Sequence, residues 1–123
     1  MTNKNLKILS PEFNVAGISF RKDAVKAFFE HFDHFINKLG RLHLEKEPDN
    51  AYDSNAIKVM AILPTGDTLH IGYVPKDINK YFPLNKQPVL ASAGKAPGGN
   101  YFIKIRMVDP LLGCYGGPET ELL

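Results

Sequence analysis

A single apolar stripe at helical spacing runs through residues 22–39, and short segments of alternating polarity lie on both sides of it. Asp23 falls in the first turn of this stretch and Gly40 follows its end, a pattern typical of a helix with defined boundaries. The stripe therefore predicts one long helix over residues 22–39 that packs one face against a core. Its members are Val25, Phe28, Phe29, Phe32, Phe35, Ile36 and Leu39.

The flanking segments alternate between apolar and polar residues, which predicts strands. We expect strands over residues 12–20, 41–47, 56–63, 68–74, 87–93 and 100–108. Pro75 and Pro83 predict a second, short helix over residues 75–82. Helices are too sparse among these strands for a doubly wound parallel sheet, so we expect a mainly β fold, a small and strongly curved sheet or barrel.

The size and composition of the chain favour one globular domain. Its 123 residues are 44% hydrophobic and 23% charged, and we expect a core over residues 13–108 with a tail over 109–123. No apolar run approaches the ~20 residues that span a bilayer, and the N-terminus lacks the pattern of a secretory signal. The single cysteine, Cys114, excludes an internal disulfide. These features predict a cytoplasmic protein without membrane contact.

Charge is distributed unevenly along the chain. Acidic residues outnumber basic ones four to one between positions 42 and 54, whereas basic residues outnumber acidic ones six to one between positions 76 and 108. A basic second half favours an anionic partner, but solvated surface lysines explain the charge equally well.

Residues 48–55 (PDNAYDSN) hold clustered carboxylates, which raises the possibility of a metal-dependent nuclease. Asp49 and Lys58 match part of a common nuclease pattern, but Ala56 stands where the second acidic ligand is required. A calcium loop is disfavoured as well, because the glycine and the closing glutamate of that loop are missing. We therefore expect no metal site in this segment.

Other catalytic arrangements are not assembled in the sequence. His31 and His34 share a helix at a spacing that can place two metal ligands together, but no third ligand is evident. Cys114 has no adjacent histidine, and no phosphate-binding glycine loop is present. We expect neither catalytic residues nor a cofactor.

Three segments resemble the HIRAN domain family in sequence, order and spacing. They are residues 15–20 (VAGISF), 47–59 (EPDNAYDSNAIKV) and 71–75 (IGYVP), and the resemblance extends over about residues 13–108. It is closest to the stand-alone form found in bacteria. The resemblance implies an OB-like barrel that binds single-stranded DNA by its free 3′ end, with a helicase or nuclease as a further partner.

The resemblance also implies roles for individual positions. Asp53 matches the residue that recognises the terminal 3′-hydroxyl, and Asn50 and Tyr52 match neighbouring end-binding positions. Phe20 matches an aromatic residue that stacks on a base. Lys76 matches a basic residue near the phosphates. An ionised carboxylate accepts a hydrogen bond from a hydroxyl and repels a phosphate, so the assignment of Asp53 is chemically consistent.

A further aromatic of the late strand corresponds to Phe102, which is also assigned to the DNA-binding set. Three positions depart from the best-understood member of the family. Ser19 replaces an arginine, Arg21 replaces an aromatic residue and Tyr73 replaces a histidine. Arg21 can restore part of the missing charge, and Tyr73 can stack on a base. For Tyr73 and Phe102, core packing is an equally good interpretation.

The same polar loop has a purely structural interpretation. Asp49, Asn50, Asp53 and Asn55 can all stabilise a loop through bonds from side chain to backbone, and Asn55 is the strongest candidate. We expect a non-enzymatic module for the 3′-hydroxyl end of single-stranded DNA, serving DNA repair or processing. A protein-interaction module with the same fold and, more weakly, a metal-dependent nuclease are the alternatives. The oligomeric state is left open.

Overall fold

The computed structural model describes residues 12–36 and 40–109. The strands are β1 (Glu12–Asn14), β2 (Arg41–Lys46), β3 (Ile57–Ile62), β4 (Thr68–Tyr73), β5 (Gln87–Lys95) and β6 (Tyr101–Val108). A 3-10 helix covers Ile18–Phe20, and two α-helices follow, α1 (Lys22–Glu30) and α2 (Phe32–Ile36). The described part of the chain is therefore mainly β, which confirms the predicted fold class.

The strands form two antiparallel sheets, with the orders β1-β6-β5 and β2-β3-β4. A short bridge connects the sheets, because Ala16 and Tyr73 exchange backbone hydrogen bonds of 2.8 and 2.9 Å. This arrangement is consistent with a small OB-like barrel. The bridge brings the segment that follows β1 against the end of β4, next to the loop that follows β2.

The core lies between the two sheets and α1. Alternation along β3 and β6 turns one face of each strand inward, as period-two patterning requires. Helix α1 covers the core with Val25 and Phe28 and lies against β4. The largest fully buried side chains of the core are Phe28, Ile57, Val59, Ile71, Val74, Ile103, Ile105 and Met107.

Two glycines shape the crossing between β1 and β4. Gly17 has a φ of 76°, in the left-handed region, and precedes the 3-10 helix, where a side chain would meet open space. Gly72 lies against the bridge, where a Cβ would overlap the carbonyl oxygen of Ala16 and lie 2.5 Å from Val15 Cγ1. The close approach of backbones therefore occurs at Gly72, whereas Gly17 supplies a left-handed backbone conformation.

The prediction of one continuous helix over residues 22–39 is wrong. The chain turns at His31, so that α1 and α2 are separate, and residues 37–39 of the predicted helix lie outside the described residues. His31 directs both its backbone N–H and its ring Nδ1 to the carbonyl of Ala27. The turn keeps Phe28 and Phe35 on the core side, with ring centroids 4.7 Å apart.

Two further boundaries differ from the sequence-based expectation. The first strand ends at Asn14, because the chain leaves the sheet for the Ala16 bridge and the 3-10 helix. Residues 75–82 form successive turns and no helix, closed by bonds from Ile78 N–H to Pro75 and from Phe82 N–H to Asn79.

Neither described α-helix, of nine and five residues, is long and apolar enough to cross a membrane. The predicted tail from residue 110 onward lies outside the described residues.

Candidate functional site

The β2–β3 loop, residues 47–56, is held in one conformation by its own polar groups. Its ends are joined by a bond of 2.9 Å from Glu47 N–H to the carbonyl of Ala56. Inside the loop, Asn50 Oδ1 accepts the N–H groups of Tyr52 and Asp53 at 2.8 and 2.9 Å. A short asparagine side chain suits this role because it bonds backbone groups two and three positions on. Hydrogen bonds within the loop therefore fix the conformation of its backbone.

The structural role expected for the polar side chains of this loop is present, with a different distribution. Asn50 and Asp53 supply the side-chain acceptors, and Asn55 takes part through its backbone N–H, which bonds Asp53 Oδ1 at 2.9 Å. Asn55 was the leading candidate for this role, and that choice of residue was wrong. The two loop-stabilising side chains are also two of the predicted DNA-binding residues.

Glu47 connects the loop to the end of β4. Its Oε1 accepts Asn50 Nδ2 at 2.7 Å and the hydroxyl of Tyr73 at 2.9 Å. These two bonds, that of Asn50 first, lower the pKa of Glu47, so this carboxylate is ionised at neutral pH. Partial burial, and then the bond to Glu47, raises the pKa of Tyr73, so its hydroxyl keeps its proton. Tyr73 is thereby fixed beside the loop.

Two basic side chains lie around the Tyr73 ring. The guanidinium carbon of Arg21 lies 5.9 Å from the ring centroid, within range of a cation–π contact. The ring of His70 meets that of Tyr73 edge to face, with centroids 4.9 Å apart. Partial burial, followed by the charge of Arg21, lowers the pKa of His70, so its ring is neutral at pH 7. Arg21 therefore places a positive charge next to Tyr73.

Asp53 receives a hydrogen bond on each carboxylate oxygen. Oδ1 accepts the backbone N–H of Asn55 at 2.9 Å, and Oδ2 accepts Asn79 Nδ2 at 2.8 Å. The bond from Asn79 contributes most to lowering the pKa of Asp53, the bond from Asn55 contributes next, and the charge of Lys76 adds to them. A carboxylate offers about four acceptor positions, so each oxygen can still accept one further donor.

Two of the aromatic residues predicted to bind DNA project into solvent. Phe20 ends the 3-10 helix with 88% of its surface exposed, and Tyr52 lies in the β2–β3 loop with 93% exposed. A shallow concavity adjoins Phe20 and is lined by residues 19–23. Neither ring contributes to the core, so both are available for contact with a ligand.

Lys76 and Phe102 occupy different surroundings. Lys76 is exposed just after β4, and its effect on Asp53 places its charge near that carboxylate. Phe102 belongs to β6, in the other sheet, where it is half-buried over Gly94. Within the described part of the chain, the bonds and ring contacts that join Arg21 and Tyr73 to the loop do not include Phe102. Phe20 adjoins the site as the chain neighbour of Arg21. The predicted residues that contacts or charge effects connect to one another are Arg21, Asn50, Tyr52, Asp53, Tyr73 and Lys76.

Sequence reasoning missed Asn79 and the role of Glu47. Asn79 lies in the segment predicted to form a short helix, and a single sequence does not distinguish an asparagine that becomes buried from one on the surface. Glu47 belonged to the recognised motif, but its partner Tyr73 lies 26 positions away along the chain. Both contacts join the β2–β3 loop to residues of β4 or of the segment after it, 26 positions further along the chain, and a local pattern does not encode them.

Over residues 12–36 and 40–109, no group of three or more His, Cys, Asp or Glu side chains is close enough to hold a metal ion. His31 and His34 have ring centroids 5.6 Å apart, and Asp49 is exposed on the loop. Cys114 lies outside the described residues.

A family model described as the HIRAN domain matches residues 8–85, more than half of the chain. The match includes the β2–β3 loop, the Phe20–Arg21 segment, Tyr73 and Lys76. It ends before β5 and before β6, the strand that contains Phe102. No curated protein and no solved structure matches the chain.

Proposed function

The chain belongs to the HIRAN domain family, and on that basis we propose that it is a binding module for the free 3′-hydroxyl end of single-stranded DNA. HIRAN domains are known as DNA-binding domains, so the chain fits a nucleic-acid-binding module. The recognition of the strand end and a role in DNA repair or processing are the specific parts of the proposal.

The observation that carries the proposal is the ionised, held carboxylate of Asp53 next to an exposed aromatic ring. A carboxylate beside a run of phosphates is repulsive, so it is out of place in a general phosphate-binding groove. A terminal 3′-hydroxyl is a donor, and Asp53 retains acceptor positions for it. Tyr52, 93% exposed in the same loop, offers a face on which the terminal base can stack.

The surroundings of this carboxylate supply the other contacts that a strand end needs. Phe20, the chain neighbour of Arg21, offers a second exposed ring. Arg21 and Lys76 border the same region and can neutralise the phosphates that precede the terminal nucleotide. Ser19 adds no charge where the best-understood member of the family has an arginine, so we expect Arg21 to carry that part of the phosphate binding.

A role in binding, without catalysis, fits this arrangement. Asp53 is already bonded on both oxygens by Asn55 and Asn79, and Asp49 is exposed. Cleavage of DNA by the purified chain in the presence of Mg²⁺, abolished by Asp49→Ala, would instead establish the nuclease alternative. That assay is a direct control for every binding experiment below, because a degraded probe also loses its end.

Salt dependence provides the first test of the proposal. Strands labelled at the 5′ end leave the 3′ end free, and fluorescence anisotropy measures their binding. If two or three cationic groups contact phosphates, log affinity falls with log salt concentration at a total slope of about −1.4 to −2.1, since each contact with a single strand contributes about −0.7.

A slope near zero would argue against DNA as the ligand. Failure to bind single strands at low salt would favour the protein-interaction alternative, and equal or tighter binding of blunt duplexes would contradict the preference for a single-stranded end. Lys86→Ala is a suitable control, because Lys86 lies outside the site and its loss should leave the slope unchanged.

A further inference from the structure

Asn79 is a buried polar residue in the segment that follows β4. Only 5% of its surface is exposed, and it is the polar residue that the structure buries over residues 12–36 and 40–109. Burying an amide costs free energy unless its groups find partners. The partner of Asn79 Nδ2 is Asp53 Oδ2, at 2.8 Å. The buried amide group of Asn79 therefore donates its hydrogen bond to a carboxylate of the candidate site.

The bond from Asn79 acts together with one from the loop backbone. Asn55 N–H holds Asp53 Oδ1 at 2.9 Å, so each oxygen of the carboxylate has a fixed donor. With both oxygens held, the carboxylate loses its freedom to rotate. The charge of Lys76 also acts on the Asp53 carboxylate. The other ionised carboxylate near the loop, Glu47, is bonded to Asn50 and Tyr73.

We propose that Asn79 is a positioning residue for recognition of the 3′-hydroxyl: it holds the Asp53 carboxylate in a fixed orientation from below the surface. This inference rests on the proposed function and adds a residue to it. Asn79 itself does not touch DNA, because it is buried. Because the Asp53 carboxylate is already ordered in the free protein, binding of the 3′-hydroxyl does not include the entropic cost of ordering it. Removal of the bond from Asn79 adds that cost to the binding free energy.

The first test measures end preference, defined as the affinity for a 3′-hydroxyl strand divided by that for the same strand with a 2′,3′-dideoxy end. In Asn79→Leu, a change of similar size that removes the donor, we expect this preference to fall by about ten-fold, the range of one hydrogen bond to a charged group. Binding of the dideoxy strand should be unchanged, because stacking and phosphate contacts do not involve Asn79.

The second test uses pH as a readout that a merely structural role would not move. In Asn79→Asp, a protonated carboxyl group can donate to Asp53 and replace the lost amide, whereas two ionised carboxylates at this distance repel each other. The end preference of this variant should therefore rise as pH falls from about 8 to about 5, in the range where such pairs hold a shared proton. Neither wild type nor Asn79→Leu should show this rise, and a dideoxy end does not itself titrate.

The outcomes separate this inference from the proposed function. If wild type prefers the 3′-hydroxyl and both variants keep that preference at every pH, the positioning role is wrong and the proposed function stands. If wild type binds both ends equally, the proposed function fails and the role of Asn79 fails with it. If Asn79→Leu does not fold, Asn79→Asp decides alone, since its two pH values compare one protein with itself.

Discussion

The Gly72→Ala variant is expected to lose about 3 kcal/mol of unfolding free energy, the sum expected from overpacking and from weakened backbone bonds. An added methyl group at this position would overlap the carbonyl oxygen of Ala16 and lie 2.5 Å from Val15 Cγ1. Neither neighbour can yield cheaply, because Ala16 is bonded to Tyr73 at 2.8 and 2.9 Å and Val15 is buried. The bridge between the two sheets must open to accept the methyl group.

Thermal unfolding followed by circular dichroism measures this effect, and we expect the midpoint to fall by about 10–15 °C. Gly94→Ala is the matched control, because a Cβ there would lie 3.5 Å from the Phe102 ring, at ordinary contact distance. Its stability should stay within about 0.5 kcal/mol of wild type. Equal stability of the two variants would show that the Ala16–Tyr73 crossing is not close-packed.

The double variant Phe20→Ala/Tyr52→Ala is expected to lose most of its affinity for single-stranded DNA while keeping its stability. Stacking contributes about 1–3 kcal/mol per base, so the loss of two stacking rings should weaken binding by about a hundred-fold or more. Because the rings are 88% and 93% exposed, their removal leaves no cavity in the core. Unfolding and anisotropy measurements on the same preparation test both parts.

A control for this variant is Ile36→Ala, which also truncates an exposed apolar side chain but lies on α2, away from the β2–β3 loop. We expect it to bind DNA as wild type does. Wild-type affinity in the double variant would mean that the exposed rings serve another ligand, and the protein-interaction alternative would then gain support. Each single variant should lose about half of the free energy lost by the double variant.

The strands and the loop motif were accessible from sequence because they depend on local patterns. Period-two alternation in β3 and β6 reports one buried and one exposed face, and the density of turn-forming residues after β2 reports a loop. The three segments that resemble the HIRAN domain predicted a set of DNA-binding residues. In the structure, Asn50 Oδ1 accepts the N–H of Asp53, and the charge of Lys76 acts on the Asp53 carboxylate. Recognition of DNA by these residues stays a prediction.

Features that depend on contacts between distant segments were not accessible. At the turn, the ring Nδ1 and the backbone N–H of His31 both bond the carbonyl of Ala27, and the spacing of apolar residues does not report such a contact. Residues 75–82 form turns in which two side chains contact distant segments. Asn79 bonds Asp53, 26 positions away, and the Phe82 ring packs edge-on against the Phe13 ring, with centroids 5.3 Å apart. Local propensity favoured a helix after Pro75, and tertiary contacts overrode it.

The most direct measurement for the proposed function compares the affinities of wild type and Asp53→Asn for strands ending in a 3′-hydroxyl or a 3′-phosphate. We expect wild type to prefer the hydroxyl by about ten-fold or more, since a charged acceptor bonds the hydroxyl and repels the phosphate. Asp53→Asn keeps the shape of the side chain and removes its charge, so the preference should disappear while affinity for the phosphate-ended strand is kept or gained. Equal binding of the two ends by wild type, or an unchanged preference in Asp53→Asn, would contradict end recognition by Asp53.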